Sequence, residues 1–328
     1  MLNPDLKLNQ KMFEVDALKQ ATRDGFGAGL TTLGELDPDV VVLTADLSES
    51  TRTEEFSKKF PERFFDCGVA EQNMAAIAAG LAVNGKTAFI SSYATFSPGK
   101  NWETIRTTII YNQANVKIAG HHSGIMTGPD GSTHQATEDI AITRSWPGMS
   151  VIVPCDSVEA KKATERAAGI SGPVYLRFSR DKSAVMTTED TPFDGKVRPY
   201  WVNPNPVATI FGTGHMLYWA LMAAKELEDE GIAVTVANVA TIKPLDEEGV
   251  LQLIQESQAA VSVEDHQVMG GLGGTLAELF AKKRPTPMEF IGLQDTFAES
   301  GSPKEIIEKY AMGVKAIKEA VKRVKERK

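Results

Sequence analysis

The stretch Phe64–Gly85, FFDCGVAEQNMAAIAAGLAVNG, decides how this chain is read. It opens with a short apolar run that reads as the end of a buried strand, and Gly68 supplies the turn that follows. A helix then runs to Asn84-Gly85, a pair that stops helices because both residues tolerate the left-handed cap. Ala75, Ala76, Ala78, Ala79 and Gly80 leave little side-chain bulk, so another backbone or another subunit can approach closely. One carboxylate, Glu71, sits in the first turn among Val, Ala and Met. An exposed Glu there is favoured by the helix dipole. A buried one is costly to keep ionised, and proteins accept that cost where a carboxylate does proton chemistry. Both readings stand at this level.

The same alternation extends outward on both sides. Upstream, Lys11 to Leu36 has helical periodicity, with Phe13, Val15, Leu18, Phe26 and Leu30 as anchors, and Asp37-Pro38 ends it. Val40–Thr44 (VVVLT) reads as a buried strand that runs into the polar loop Ala45–Ser50, where Asp46 and Ser50 also suit ordinary capping. Downstream, the strand Thr87–Ser92 leads to Tyr93 and Phe96, then a helix over Trp102–Tyr111 and a strand over Val116–Ala119. The loop HHSGIMTGPDGSTHQATED follows, carrying His121, His122, Asp130 and His134. Its spacing lacks the short paired intervals of zinc sites, so a histidine-lined polar pocket is expected and no metal site. The strand Ser150–Pro154, the helix Ser157–Ala168 capped by Asp156, and the strand Val174–Phe178 complete the unit. Arg177 and Arg180, near that last strand's end, suit either a surface or an anion site. Repeated strand-helix alternation predicts a parallel sheet covered on both faces.

Between Asp181 and Asn205 the pattern lapses, which predicts a linker between a domain over 1–185 and a second over 206–328. The second unit starts with strand Ala208–Phe211 and helix Met216–Glu230, followed by strands Ala233–Ala237 and Ala259–Val263. Gly212 and Gly214 lack the third glycine of a dinucleotide fingerprint, and the Gly270–Gly274 turn is also imperfect. Lys304–Lys328 reads as one amphipathic helix with a solvated face. The predicted fold class is therefore α/β, with two parallel-sheet domains. A length of 328 residues agrees with two domains, and a net charge of −8 argues against non-specific nucleic-acid binding. The two cysteines, Cys67 and Cys155, suit reduced thiols in a cytoplasmic protein. No apolar run is long enough to span a membrane, and the polar N-terminus does not read as a secretory leader.

Four motifs, in order along nearly the whole chain, resemble a family. FFDCGVAEQNMAAIAAGLA resembles the catalytic-glutamate segment of transketolase-type thiamine diphosphate enzymes. ADLSES is similar to the family's ADLxxS segment, GPDGSTHQATED to its GEDGPTHQ loop, and VEDHQVMGGLGG to the start of a helix in its C-terminal domain. The GDG motif that holds the cofactor diphosphate and magnesium in a whole transketolase is missing. The resemblance therefore implies the pyrimidine-binding and C-terminal domains alone. A separate N-terminal subunit would supply thiamine diphosphate's anchoring and Mg2+, most simply in an α2β2 heterotetramer. This implies transfer of a two-carbon ketol unit between sugar phosphates, and no turnover by the chain alone.

The resemblance also assigns roles. Glu71 matches the glutamate at pyrimidine N1′, which favours the imino tautomer so that the cofactor can deprotonate itself. Tyr93 and Phe96 are expected to stack on the pyrimidine, although Thr87 and Ile90 stand where relatives often carry aromatics. Asp46 matches a residue near the thiazolium and the subunit contact. Arg23, Ser50, His122 and Arg180 match sugar-phosphate ligands, Asp130 a carboxylate that contacts a donor hydroxyl, and His134 a histidine beside the donor carbonyl. Alternatives remain open: the β-subunit of a 2-oxo acid dehydrogenase first component, a deoxyxylulose-phosphate synthase-like enzyme, or a non-catalytic scaffold.

Overall fold

Apolar runs of β-branched and aromatic residues form the centre of a seven-stranded sheet, as expected of strands buried on both faces. The computed structural model describes residues 1–328. Across this sheet the strands run Thr241–Lys243, Ser150–Ile152, Val174–Arg177, Val116–His121, Thr87–Tyr93, Val40–Thr44 and Phe64–Asp66. The first is antiparallel to its neighbour; the other six are parallel. A second sheet of five strands runs Met288–Leu293, Ala260–Gln267, Ala208–Gly212, Val234–Asn238 and Arg198–Trp201, with only the last antiparallel. The protein is thus α/β, with two parallel-sheet units.

Helix Thr22–Leu36 lies against helix Ser157–Ala168, and Gly25 allows the approach, since a Cβ there would meet Ser157 O at 1.9 Å. Asp156 caps the second helix by accepting from Glu159 N at 2.8 Å. The two units also interlock. The three residues Thr241–Lys243 follow a strand of the second sheet and pair at the edge of the first. Glu159 of the first unit accepts from Asn238 Nδ2 of the second at 2.7 Å.

Several elements differ from the periodicity. The N-terminal helix begins at Thr22, not Lys11; Val15 and Leu18 are exposed, because Lys19–Gln20 instead pairs with Ser183–Ala184. Phe64–Asp66 is an edge strand with Phe65 and Asp66 exposed, not a buried one. Over Trp102–Tyr111 the helix widens into π-type turns at Ile105–Ile110. The predicted linker contains Arg198–Trp201, which belongs to the second sheet. The C-terminal helix is two, Pro303–Lys309 and Val314–Glu326, parted where Ala311 turns left-handed (φ 53°). Cys67 and Cys155 are both free thiols, and no helix is long and apolar enough to cross a membrane.

Candidate functional site

Parallel strands end on the same side of a sheet, and the candidate residues cluster there. Asp46 and Ser50 follow Thr44, Glu71 follows Asp66, and Phe96 follows the strand that ends on Tyr93. His122 follows His121, and Arg180 follows Arg177. Arg23 joins them from the first turn of helix Thr22–Leu36.

The half of this rim that holds the arginines is closely knit. Tyr93 stacks on His122 with ring centroids 3.8 Å apart. Phe96 lies 5.9 Å from Tyr93 and 5.5 Å, edge-on, from His134. Arg23 Nη1 donates to Ser50 O at 2.8 Å, which ties the Ala45–Ser50 loop to the helix. Arg180 Nη1 donates to Thr127 O at 2.9 Å and stands 3.8 Å from Asp130 Oδ1. Burial, then the charges of Arg23 and Arg180, push the His122 imidazole down to about 3. His122 is therefore neutral at physiological pH, with one ring nitrogen to donate and one to accept. Burial, followed by neighbouring Arg52, also lowers the Arg23 guanidinium, and its buried Nε has no partner. Crowded cations with an unpaired donor suit a polyoxygen anion such as phosphate.

Glu71 sits at the other half. It is buried, but it is not the lone acid that its neighbours in sequence suggested. Lys100 Nζ donates to its Oε2 at 2.8 Å, and Asn101 Nδ2 donates to its carbonyl at 3.0 Å. The helix it opens carries exposed Ile77 and Val83 beside exposed Gln72 and Asn73, Val69 just before it is exposed too, and a Cβ built on Gly80 meets nothing within 4 Å. Asp46 is exposed at a left-handed position (φ 59°), with its amide donating to Asp66 Oδ1 at 3.0 Å. No hydrogen bond or ion pair joins its carboxylate to the other candidates.

Residues outside the predicted set hold the loop of His122, Asp130 and His134. Asp265, from the second unit, accepts from Ile125 N at 2.8 Å and Met126 N at 3.2 Å. Burial alone would raise its pKa, but His215, Arg177 and the Ile125 amide outweigh that and lower it. Gly124 (φ 75°) is required here, since a Cβ would fall 2.1 Å from Asp265 Oδ2. Gln135 Nε2 donates to Glu299 O at 3.2 Å, and Arg177 bridges Asp139 and the Asp265 carbonyl. The VEDH motif was the available signal for Asp265; Lys100 had none. No group of three His, Cys, Asp or Glu side chains is placed to hold a metal.

Comparison with known proteins shows to which family the two units belong. Residues 19–185 match the family described as "Transketolase, pyrimidine binding domain", and residues 200–317 match "Transketolase, C-terminal domain". The chain is 41% identical over 310 residues to a putative transketolase C-terminal section from Methanocaldococcus jannaschii, covering 93% of this chain and 96% of that one. It is 36% identical to a 6-deoxy-6-sulfo-D-fructose transketolase subunit from Clostridium sp. (strain MSTE9), covering 96% and 98%. A solved structure described as a split-gene transketolase, inactive β4 tetramer, superposes with a TM-score of 0.87 at 41% identity, covering 93% and 98%. The chain belongs to the transketolase family, and the domains it carries are that family's pyrimidine-binding and C-terminal section.

Proposed function

We propose that this chain is the C-terminal subunit of a two-chain transketolase, moving a two-carbon ketol unit between sugar phosphates. The observation that supports the reading is the asymmetry of the rim: its arginine side is hydrogen-bonded within the chain, while the helix that opens at Glu71 leaves Ile77, Gly80 and Val83 uncovered. An N-terminal subunit would cover that surface and hold the diphosphate and Mg2+ of thiamine diphosphate.

The residues present fit that cofactor's pyrimidine end. Glu71 is a buried carboxylate whose Oε1 receives no hydrogen bond from the chain, and Phe96 lies on the segment packed against the Glu71 helix. When bound, thiamine diphosphate supplies the carbon that carries the two-carbon unit. Glu71 would hold a proton against pyrimidine N1′, and Tyr93 and Phe96 would flank the ring. Asp46 would lie near the thiazolium at the subunit contact. Arg23, Arg180, Ser50 and neutral His122 would bind the phosphate. Asp130 would accept from a donor hydroxyl, and His134 would donate to the ketol oxygen. We place the assembly in the cytoplasm as an α2β2 heterotetramer.

The test is reconstitution. The chain is assayed alone and with a purified N-terminal subunit, with thiamine diphosphate and Mg2+, using xylulose and ribose phosphates. A second donor, 6-deoxy-6-sulfofructose, is included because a sulfonate offers the same three-oxygen anion. Activity only with both chains is expected; turnover by this chain alone would refute the division of labour.

A further inference from the structure

Lys100 is 29 residues beyond Glu71 in sequence, yet it is the carboxylate's sole charge partner. It holds one oxygen only. Lys100 Nζ reaches Oε2 at 2.8 Å, and no hydrogen bond of the chain reaches Oε1. The next residue, Asn101, donates to the Glu71 carbonyl at 3.0 Å and to Ser97 Oγ at 3.2 Å. One short segment therefore grips Glu71 at both backbone and side chain. The terminal torsion of a glutamate is broad and roughly two-fold, so a free carboxylate would sample many planes. A charge-assisted hydrogen bond to one oxygen selects among them.

We propose that Lys100 is a positioning residue: by anchoring Oε2 it sets the plane of the Glu71 carboxylate and presents Oε1 as the free acceptor for the cofactor's pyrimidine. The inference rests on the reading of Glu71 given above. The two partners are also unequal in burial. The Glu71 side chain is 2% exposed and that of Lys100 43%, so the lysine links the buried acid to the protein surface. A buried carboxylate calls for a partner; this one reaches a single oxygen and leaves the other without a hydrogen bond from the chain.

The assembled two-chain enzyme is measured with Lys100→Met, Lys100→Arg, Glu71→Gln and the double variant Glu71→Gln/Lys100→Met. For each, kcat, KM for the sugar phosphate, and the thiamine diphosphate dissociation constant by fluorescence titration are read, with Tm as a control. Misaiming the acid should lower kcat in Lys100→Met by about 10- to 100-fold. Cofactor binding should loosen by about tenfold, and KM for the sugar phosphate should stay put. Lys100→Arg should recover most of both losses. The double variant should be no slower than Glu71→Gln alone, because residues acting as one unit are not additive. If Lys100→Met does not fold, Lys100→Ala, which also removes the donor, is read the same way. Wild-type kcat and cofactor affinity in Lys100→Met would overturn the proposal, as would effects that multiply with those of Glu71→Gln. In both cases an inactive Glu71→Gln leaves the role of Glu71 standing. An active Glu71→Gln would instead remove the reading beneath the proposal, and the proposal with it.

Discussion

The two halves of the strand-end rim are built differently. On the arginine side, the loop of His122, Asp130 and His134 is fastened by Arg177 of its own unit, which donates to Ala136 O, and by Asp265 and the Glu299 carbonyl of the second unit. On the Glu71 side, Lys100 and Asn101 hold the glutamate and Asp66 holds the Asp46 and Gly68 amides, with Val69, Ile77 and Val83 exposed nearby in sequence and no hydrogen bond from the second unit to Glu71. On the proposed reading, the comparison teaches where one polypeptide's share of a composite site ends. Polar groups that must stay aligned are satisfied within the chain, whereas apolar surface can wait for a partner, because burying it is what drives association.

The comparison is broken most sharply at Glu71. In the reconstituted enzyme, Glu71→Gln is expected to keep its Tm and lose at least about 100-fold in turnover, the scale of general acid–base help. A Gln variant with normal turnover would show that the open half has no catalytic part. The next largest effect belongs to the arginine side. Arg23→Gln removes charge-assisted hydrogen bonds, and KM for sugar phosphates should rise by about 10- to 100-fold. A ketose lacking phosphate should be used equally well by both forms; an equal loss on both would mean Arg23 supports only the loop. Asp265→Asn tests the fastening itself. It should raise KM about tenfold by loosening the loop amides, while the cofactor dissociation constant stays unchanged. A change in cofactor affinity alone would erase the distinction between the halves.

The smallest effect concerns acid. His122 has a folded-state pKa pushed down to about 3, below the unfolded value of about 6.5. The unfolded chain therefore binds a proton that the folded one refuses, and stability falls as pH drops from about 6.5 toward 3. His122→Asn should flatten the decline of Tm over that window. An unchanged slope would mean that the imidazole is solvated and that this side is less closed than its distances suggest.

Much of this was legible because parallel sheets are local in pattern even when they are distant in contact. Val40–Thr44, Thr87–Tyr93 and Val116–His121 are buried on both faces and read as apolar runs, and Asp156 announced its helix by capping chemistry. What escaped was whatever one segment does to another. Val15 and Leu18 suggested helix, but a two-residue pairing with Ser183–Ala184 took the neighbouring chain away. Thr241–Lys243 is too short to show an alternation. Glu71, Asp46, Ser50, Asp130 and His134 were expected from family motifs, and Arg23, Tyr93, Phe96, His122 and Arg180 from their places along the resemblance; both carry spacing but not partners. Lys100 lies in no motif, and Asp265 lies in one whose role shows only when its carboxylate meets Ile125 and Met126.

The strand Thr241–Lys243 has a practical consequence for anyone who would trim this chain to its first unit. Cutting near residue 205 would strip a neighbour from Ser150–Ile152 and leave its amides and carbonyls facing water at a fresh flank. Such a flank recruits strands from other molecules. The shortened protein is expected to cling to copies of itself, and a loss of activity after truncation would then report stickiness rather than chemistry.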